Sequence, residues 1–150
     1  MSTVTVATHI AAPIDRVFSV FTDLDLVADR VSSIKAIEPL TTGVFHLGTR
    51  WRETREVLGR SDSAEMEVTA FERNRTYTIS HHKAGVHIAA VFVFDRAGDG
   101  TAVSIEFDLD SHGVPPGLLA PLGWAIDSKV RDVLTQDLAD LKKAAEQRPS

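Results

Sequence analysis

From Gly48 to Val57 the chain reads Gly-Thr-Arg-Trp-Arg-Glu-Thr-Arg-Glu-Val, and here charge sits where a core face is expected. Gly48 can open a strand and Gly59 can turn the chain after it. Alternate side chains of a strand point to opposite faces. One face then carries Arg50, Arg52, Thr54 and Glu56, which suit water; the other carries Trp51, Glu53, Arg55 and Val57. Two charges between two apolar residues do not make an ordinary core face, because an unpaired buried charge is strongly unfavourable. Either the face lines a wet cavity, or Glu53 and Arg55 form a structural pair. In a cavity, Glu53 could serve as general base, His81 as acid or base, and Arg55 or Tyr77 as donors to a carbonyl or enolate. In the structural alternative, Glu53 and Arg55 hold each other and His81 leans to the surface.

The elements that would position these groups follow from periodicity. Val4 and Val6 alternate with their neighbours and predict a strand over 2–10. Pro13 suits the first turn of a helix in which Ile14, Val17, Phe18 and Phe21 make one apolar stripe. Asp23 could cap a second short helix carrying Leu26, Val27 and Val31. Residues 34–42 read as a strand. Five antiparallel strands follow, near 48–58, 60–72, 75–82, 86–96 and 101–112, with turns at Gly59, Arg73-Asn74-Arg75, Lys83-Ala84-Gly85 and Gly98-Asp99-Gly100. In the last strand Val103, Ile105, Phe107 and Leu109 face inward and Ser104, Glu106, Asp108 and Asp110 face water. Leu119, Leu122, Ile126, Val130, Val133, Leu134, Leu138 and Leu141 keep helical spacing, so a long helix ends the chain, with Lys142 and Lys143 complementing its dipole. The segment 113–121, with Gly113, Pro115, Pro116, Gly117 and Pro121, is expected to be irregular and to gate the cavity.

Turn lengths set a register. Pairing Asp95 with Ala102 puts Phe94, Phe92, Ala90 and Ile88 opposite Val103, Ile105, Phe107 and Leu109. Pairing His81 with Val86, Ala70 with Tyr77, and Val57 with Asp62 then gives three concave rows. The first is Glu53, Met66, His81, Val86, Ser111. The second is Trp51, Val68, Ile79, Ile88, Leu109, and the third Thr49, Ala70, Tyr77, Ala90, Phe107. A polar cluster at one end of an apolar pocket is the usual form of a small-molecule site. The same register turns Ala89, Val91 and Val93 outward, either as a homodimer contact or as scattered surface apolar residues.

Composition bounds the alternatives. The chain has 150 residues, enough for one domain with a sizeable core. Its net charge of −5, without any Lys/Arg run, argues against nucleic acid as a partner. There are no cysteines, so disulfides, thiolate catalysis and Cys-ligated metals are excluded. His81, His82 and His87 are the only histidine cluster, but the first two point to opposite faces, so no metal and no cofactor is expected. Neither a signal peptide nor a membrane span is visible, which makes a cytoplasmic protein without membrane insertion the expectation.

The order of strand, two short helices, six strands and a long C-terminal helix now has residues attached. With Ala12-Pro13-Ile14-Asp15-Arg16-Val17-Phe18, Gly48-Thr49-Arg50-Trp51, Glu67-Val68-Thr69-Ala70-Phe71-Glu72, Gly100-Thr101-Ala102-Val103 and Asp137-Leu138-Ala139-Asp140-Leu141-Lys142, it resembles the START/Bet v 1-like (SRPBCC) superfamily, most closely its polyketide cyclase/dehydrase-like branch. The resemblance implies an α+β helix-grip fold, in which a curved antiparallel sheet of six to seven strands wraps the long helix and leaves a hydrophobic cavity. It also implies a small apolar ligand, lipid-like, polyketide-like or aromatic.

These readings together give three functional alternatives. The first is binding of a small, largely apolar molecule, lined by Trp51, Arg55, Met66, Val68, Ile79, Ile88, Phe92, Phe107, Leu122 and Ile126. The second is a cyclase/dehydratase-type enzyme in which Glu53, His81 and Tyr77 do acid/base chemistry. The third is an interaction module that uses the fold without a ligand. Fold alone does not choose among them.

Overall fold

The computed structural model describes residues 2–57, 60–83, 86–110 and 123–147. The chain runs β1 (Ser2–Ile10), α1 (Ile14–Thr22), α2 (Leu24–Arg30), β2 (Ile34–Pro39), β3 (Arg50–Val57), β4 (Arg60–Glu72), β5 (Thr76–Lys83), β6 (Val86–Ala97), β7 (Gly100–Asp110) and α3 (Gly123–Glu146). The seven strands form one antiparallel sheet in the order β1-β7-β6-β5-β4-β3-β2. Its inner face, α1 and α3 share one core that includes Val4, Val6, Val17, Phe18, Trp51, Val68, Tyr77, Phe94, Ile105, Leu134 and Leu138. This is the helix-grip arrangement, and α3 packs along β1, α1 and α2.

Local sequence explains the helix positions. The stripe on α1 buries Ile14, Val17, Phe18, Val20 and Phe21. Arg16 fixes the far end of α3 by donating from Nε to the Ala145 carbonyl at 2.7 Å and from Nη2 to the Gln147 carbonyl. Gly100 is required where β7 starts, since a Cβ there would lie 2.4 Å from the Ile10 carbonyl oxygen. Asp23 does stand at the N-cap of α2, but its carboxylate makes no capping bond, contrary to the expectation for that residue type. β2 ends at Pro39, three residues before the expected boundary. Beyond it, the amides of Leu40 and Thr41 both reach the Arg50 carbonyl, and Gly43 adopts a φ of 98°.

The register around Asp99-Gly100 is as expected, with Phe94, Phe92, Ala90 and Ile88 opposite Val103, Ile105, Phe107 and Leu109. Elsewhere it moves. β3 and β4 stay paired out to Val57 with Arg60, and β5 and β6 out to Lys83 with Val86, two residues further than the turn lengths suggested. Trp51 therefore faces Met66 instead of Val68, and Glu53 faces Ala64 instead of Met66. Tyr77 faces Phe92 instead of Ala90, Ile79 faces Ala90 instead of Ile88, and His81 faces Ile88 instead of Val86. A slip of two keeps every side chain on its face. One strand breaks that rule. A bulge between Val68 and Ala70 turns Ala70 outward, where it is exposed, and puts Phe71 opposite Tyr77 in its place.

Candidate functional site

β3 carries Trp51 and Glu53 into the buried layer, 1% and 8% exposed. They are two residues apart on one face, so their side chains are neighbours. Trp51 Nε1 donates to Glu53 Oε1 at 3.2 Å, and Arg55 Nε donates to Glu53 Oε2 at 2.6 Å. Arg55 Nη1 then donates to Ser33 Oγ at 2.8 Å and to Asp137 Oδ2 at 3.0 Å, while Ser33 Oγ donates to Asp137 Oδ1 at 3.1 Å. One turn along α3, Asp140 Oδ2 accepts from both the amide and the hydroxyl of Ser32 at 3.0 Å. The network thus ties β3, the connection before β2 and the last helix together. Every carboxylate oxygen of Glu53 and Asp137 has a partner.

Its electrostatics are unequal. Burial works against the Arg55 cation, but attraction from Glu53 and Asp137 outweighs it and raises the guanidinium pKa above its ordinary value. Asp137 shows the opposite balance for an acid. Burial pushes its pKa up, Arg55 and Ser33 pull it back only in part, and the Glu53 charge adds to the rise. Two carboxylates share one guanidinium, so Arg55 has no charge to spare for a third anion.

The second cluster is aromatic. Tyr77 stacks on Phe92 with centroids 4.5 Å apart and 16° between planes, and Phe18 and Phe45 meet it edge-on at 5.8 and 5.0 Å. The residue is 2% exposed, and burial raises its phenol pKa well above the ordinary value, so it is a neutral donor at physiological pH. No described residue makes a hydrogen bond to its hydroxyl. Yet among the described residues no sealed side-chain nitrogen or oxygen lacks a partner. The hydroxyl is therefore not fully sealed.

Of the residues singled out from the sequence, Trp51, Glu53 and Arg55 are bonded together, and Tyr77 lies in the aromatic layer. Val68 is fully buried, and Met66, Ile79, Phe92 and Phe107 pack partly buried against the core. Ile88 is half-buried. His81 is also half-buried, and its Nδ1 lies 3.2 Å from the Glu65 carbonyl; no bond joins it to Glu53. Leu122 and the segment 113–121 lie outside the described residues, and Ile126 belongs to α3. Ala89, Val91 and Val93 are half-buried. Among the described residues, no three His, Asp or Glu side chains converge to hold a metal ion.

Three contributors escaped the sequence reading. Asp137 had a signal, because it falls inside the apolar stripe of α3, three residues after Leu134 and four before Leu141, and is 5% exposed. Ser33 had none. Phe45 sits in the loop between β2 and β3 without any periodicity, yet its ring touches Trp51, Phe71 and Tyr77. Phe45 also lines a cleft of about 580 Å³ at this end of the sheet, bounded by Phe18, Asp23, Leu24, Val44, Phe71 and Arg73 among others.

The fold recurs widely. ZhuI aromatase/cyclase from Streptomyces sp. R1128 superimposes with a TM-score of 0.83 at 18% identity, covering 98% of this chain and 94% of that one. TTHA0849 from Thermus thermophilus gives 0.83 at 16% identity, covering 96% and 97%. Ginseng major latex-like protein 151 from Panax ginseng gives 0.75 at 14%, covering 97% and 98%. At such identities the likeness establishes the fold. A search of curated protein sequences gave no match. Residues 1–146 match the model of one family, described as polyketide cyclase / dehydrase and lipid transport, and the chain belongs to that family.

Proposed function

We propose that this chain binds a small, largely apolar, uncharged molecule bearing a hydrogen-bond acceptor, held on the inner face of the sheet with Tyr77 as its polar anchor. The observation that carries this reading is the Tyr77 hydroxyl. It is a neutral donor inside an aromatic wall, it has no partner among the described residues, and it is not fully sealed. An acceptor on a ligand would give that hydroxyl a directed bond, worth about 0.5–1.5 kcal/mol net. Ile79, Phe92 and Phe107, partly buried, supply apolar surface on the same face, as ligand pockets require. Charge sets the class. Arg55 is already held by two carboxylates, so a fatty-acid carboxylate would meet no free cation there. The family description and the aromatase/cyclase neighbour fit a polyketide-like or aromatic ligand.

The second reading is enzymatic and uses the same hydroxyl, as donor to a carbonyl or enolate oxygen. In that reading Glu53 must give up its bonds to Trp51 and Arg55 before it can take a proton.

Native mass spectrometry of protein purified from its own host would identify a retained ligand. Titration with 9-fluorenone, a neutral planar ketone, and with laurate tests the class. Fluorenone is expected to bind and laurate to bind at least tenfold more weakly, with Tyr77→Phe weakening fluorenone. Preference for laurate, or a Tyr77→Phe affinity equal to wild type, would overturn the assignment.

A further inference from the structure

The cleft at the β2–β3 end is separated from Tyr77 by one ring. Its floor is Phe18, Phe45 and Phe71. Phe18 and Phe45 each touch the Tyr77 ring, and Phe71 is the cross-strand partner of Tyr77. Phe45 is the member of that floor carried by a loop. The loop runs between Gly43 and Gly48, whose φ angles of 98° and 89° favour glycine, and a Cβ on either would meet open space. It is held on both sides of Phe45: ahead of the ring, the Val44 carbonyl accepts from Thr49 Oγ1 at 3.5 Å, and the Arg50 amide donates to Thr41 Oγ1 at 3.0 Å across the base of the loop. The Gly48 amide bonds to the Val68 carbonyl at 2.9 Å, and Thr49 Oγ1 accepts from the His46 amide at 3.0 Å. Beside Phe45 the same loop exposes Val44, 82% accessible, which lines the cleft, and Leu47, 58% accessible, two residues further on. The opposite end of the sheet is where β7 ends at Asp110.

We infer that this cleft is the outer compartment of the ligand site, and that an apolar planar molecule enters at the β2–β3 end by displacing the Phe45 ring and brings its acceptor to Tyr77. The inference rests on the binding role of Tyr77 proposed above and assigns that site its entrance and its gating residue. The volume, about 580 Å³, is in the range of small-molecule sites. The leading edge of the ligand meets aromatic faces throughout. Its trailing edge remains at the rim beside Asp23, Asp25 and Arg73, where a polar tail can stay in water.

The test is stopped-flow association of 9-fluorenone, alongside its equilibrium affinity, in wild type, Phe45→Ala, Phe45→Trp, Ser19→Trp and Tyr77→Phe. Ser19 is exposed and lines the cleft without belonging to the floor, so its substitution narrows the entrance with the core intact. The expected result is association at least fivefold faster in Phe45→Ala and at least fivefold slower in Phe45→Trp and Ser19→Trp. Tyr77→Phe should change mainly dissociation. If Phe45→Ala does not fold, slowing in the two tryptophan variants decides alone. Wild-type association rates in all cleft variants, with Tyr77→Phe still weakening affinity, would overturn the entrance and leave the binding site standing. No fluorenone binding to wild type, or no effect of Tyr77→Phe, would remove the binding site and the entrance with it.

Discussion

The inner face of the sheet holds two kinds of polar group, and they differ in what surrounds them. In the region of Trp51, Glu53, Arg55 and Asp137, each carboxylate oxygen has a partner within the chain. In the region of Tyr77, a hydroxyl of a buried residue has none among the described residues. The first region joins three chain segments and is complete without a ligand. The second is packed by aromatic rings and, among the described residues, lacks one hydrogen-bond partner. A cluster of charges is therefore a weaker guide to a binding site here than a single unmatched donor, because a buried polar group that is satisfied within the fold has no bond left to offer a ligand.

Breaking the saturated region should give the largest effect. Arg55→Ala leaves Glu53 and Asp137 facing each other, buried, with no cation between them. Removing one partner of a buried charged network costs about 3–5 kcal/mol. Urea denaturation should show that loss with little change in slope. A loss below about 1 kcal/mol would mean that water already solvates the network, and the contrast between the two regions would fail.

Leu138→Ala calibrates that number. Leu138 follows Asp137 in α3 and is 2% exposed. Its truncation should cost roughly 2–5 kcal/mol through lost burial and a cavity. Both substitutions loosen α3, but only the loss at Arg55 should depend on pH. Equal pH dependence in the two variants would mean that helix detachment, and not charge, sets the cost of Arg55→Ala.

The pH dependence itself is a smaller effect with a defined sign. The Asp137 pKa is raised in the folded chain above its ordinary 3.8. Between that value and the raised one, the folded chain binds more proton than the unfolded chain. Asp137 therefore contributes stability that is fully present below the ordinary value and is lost as pH rises through the folded value. Stability measured across mildly acidic pH should fall more steeply with rising pH in wild type than in Asp137→Asn. The reverse difference would show that Arg55 and Ser33 outweigh burial, and that the pair is favourable enough to hold Asp137 ionised.

Much of this arrangement is legible in the sequence. Period-two and helical patterns placed the ten described elements, because each element buries one face and the pattern records it. Alternation within β3 put Trp51 and Glu53 inward, since a two-residue slip in register cannot change a face. What escaped depended on other information. The bulge that replaces Ala70 with Phe71 has no glycine or proline to mark it. Phe45 lies in a loop, where no period exists to read. Asp137 did break an apolar stripe, but the partner that makes sense of it, Arg55, is 82 residues earlier in the chain.

The smallest stability effect belongs to the other region. Tyr77→Phe removes a hydroxyl with no partner among the described residues and leaves the ring stacked on Phe92. No bond to a described residue is lost, so stability should change by less than about 1 kcal/mol in either direction. Ligand affinity should fall roughly tenfold, the worth of a single neutral hydrogen bond in a dry site. Denaturation and fluorenone titration on the same variant read the two quantities separately. Their ratio is what distinguishes the regions: Arg55→Ala costs mostly stability, whereas Tyr77→Phe costs mostly binding. A loss of stability above about 2 kcal/mol in Tyr77→Phe would mean that the hydroxyl serves the fold after all, and that both polar groups of the inner face are structural.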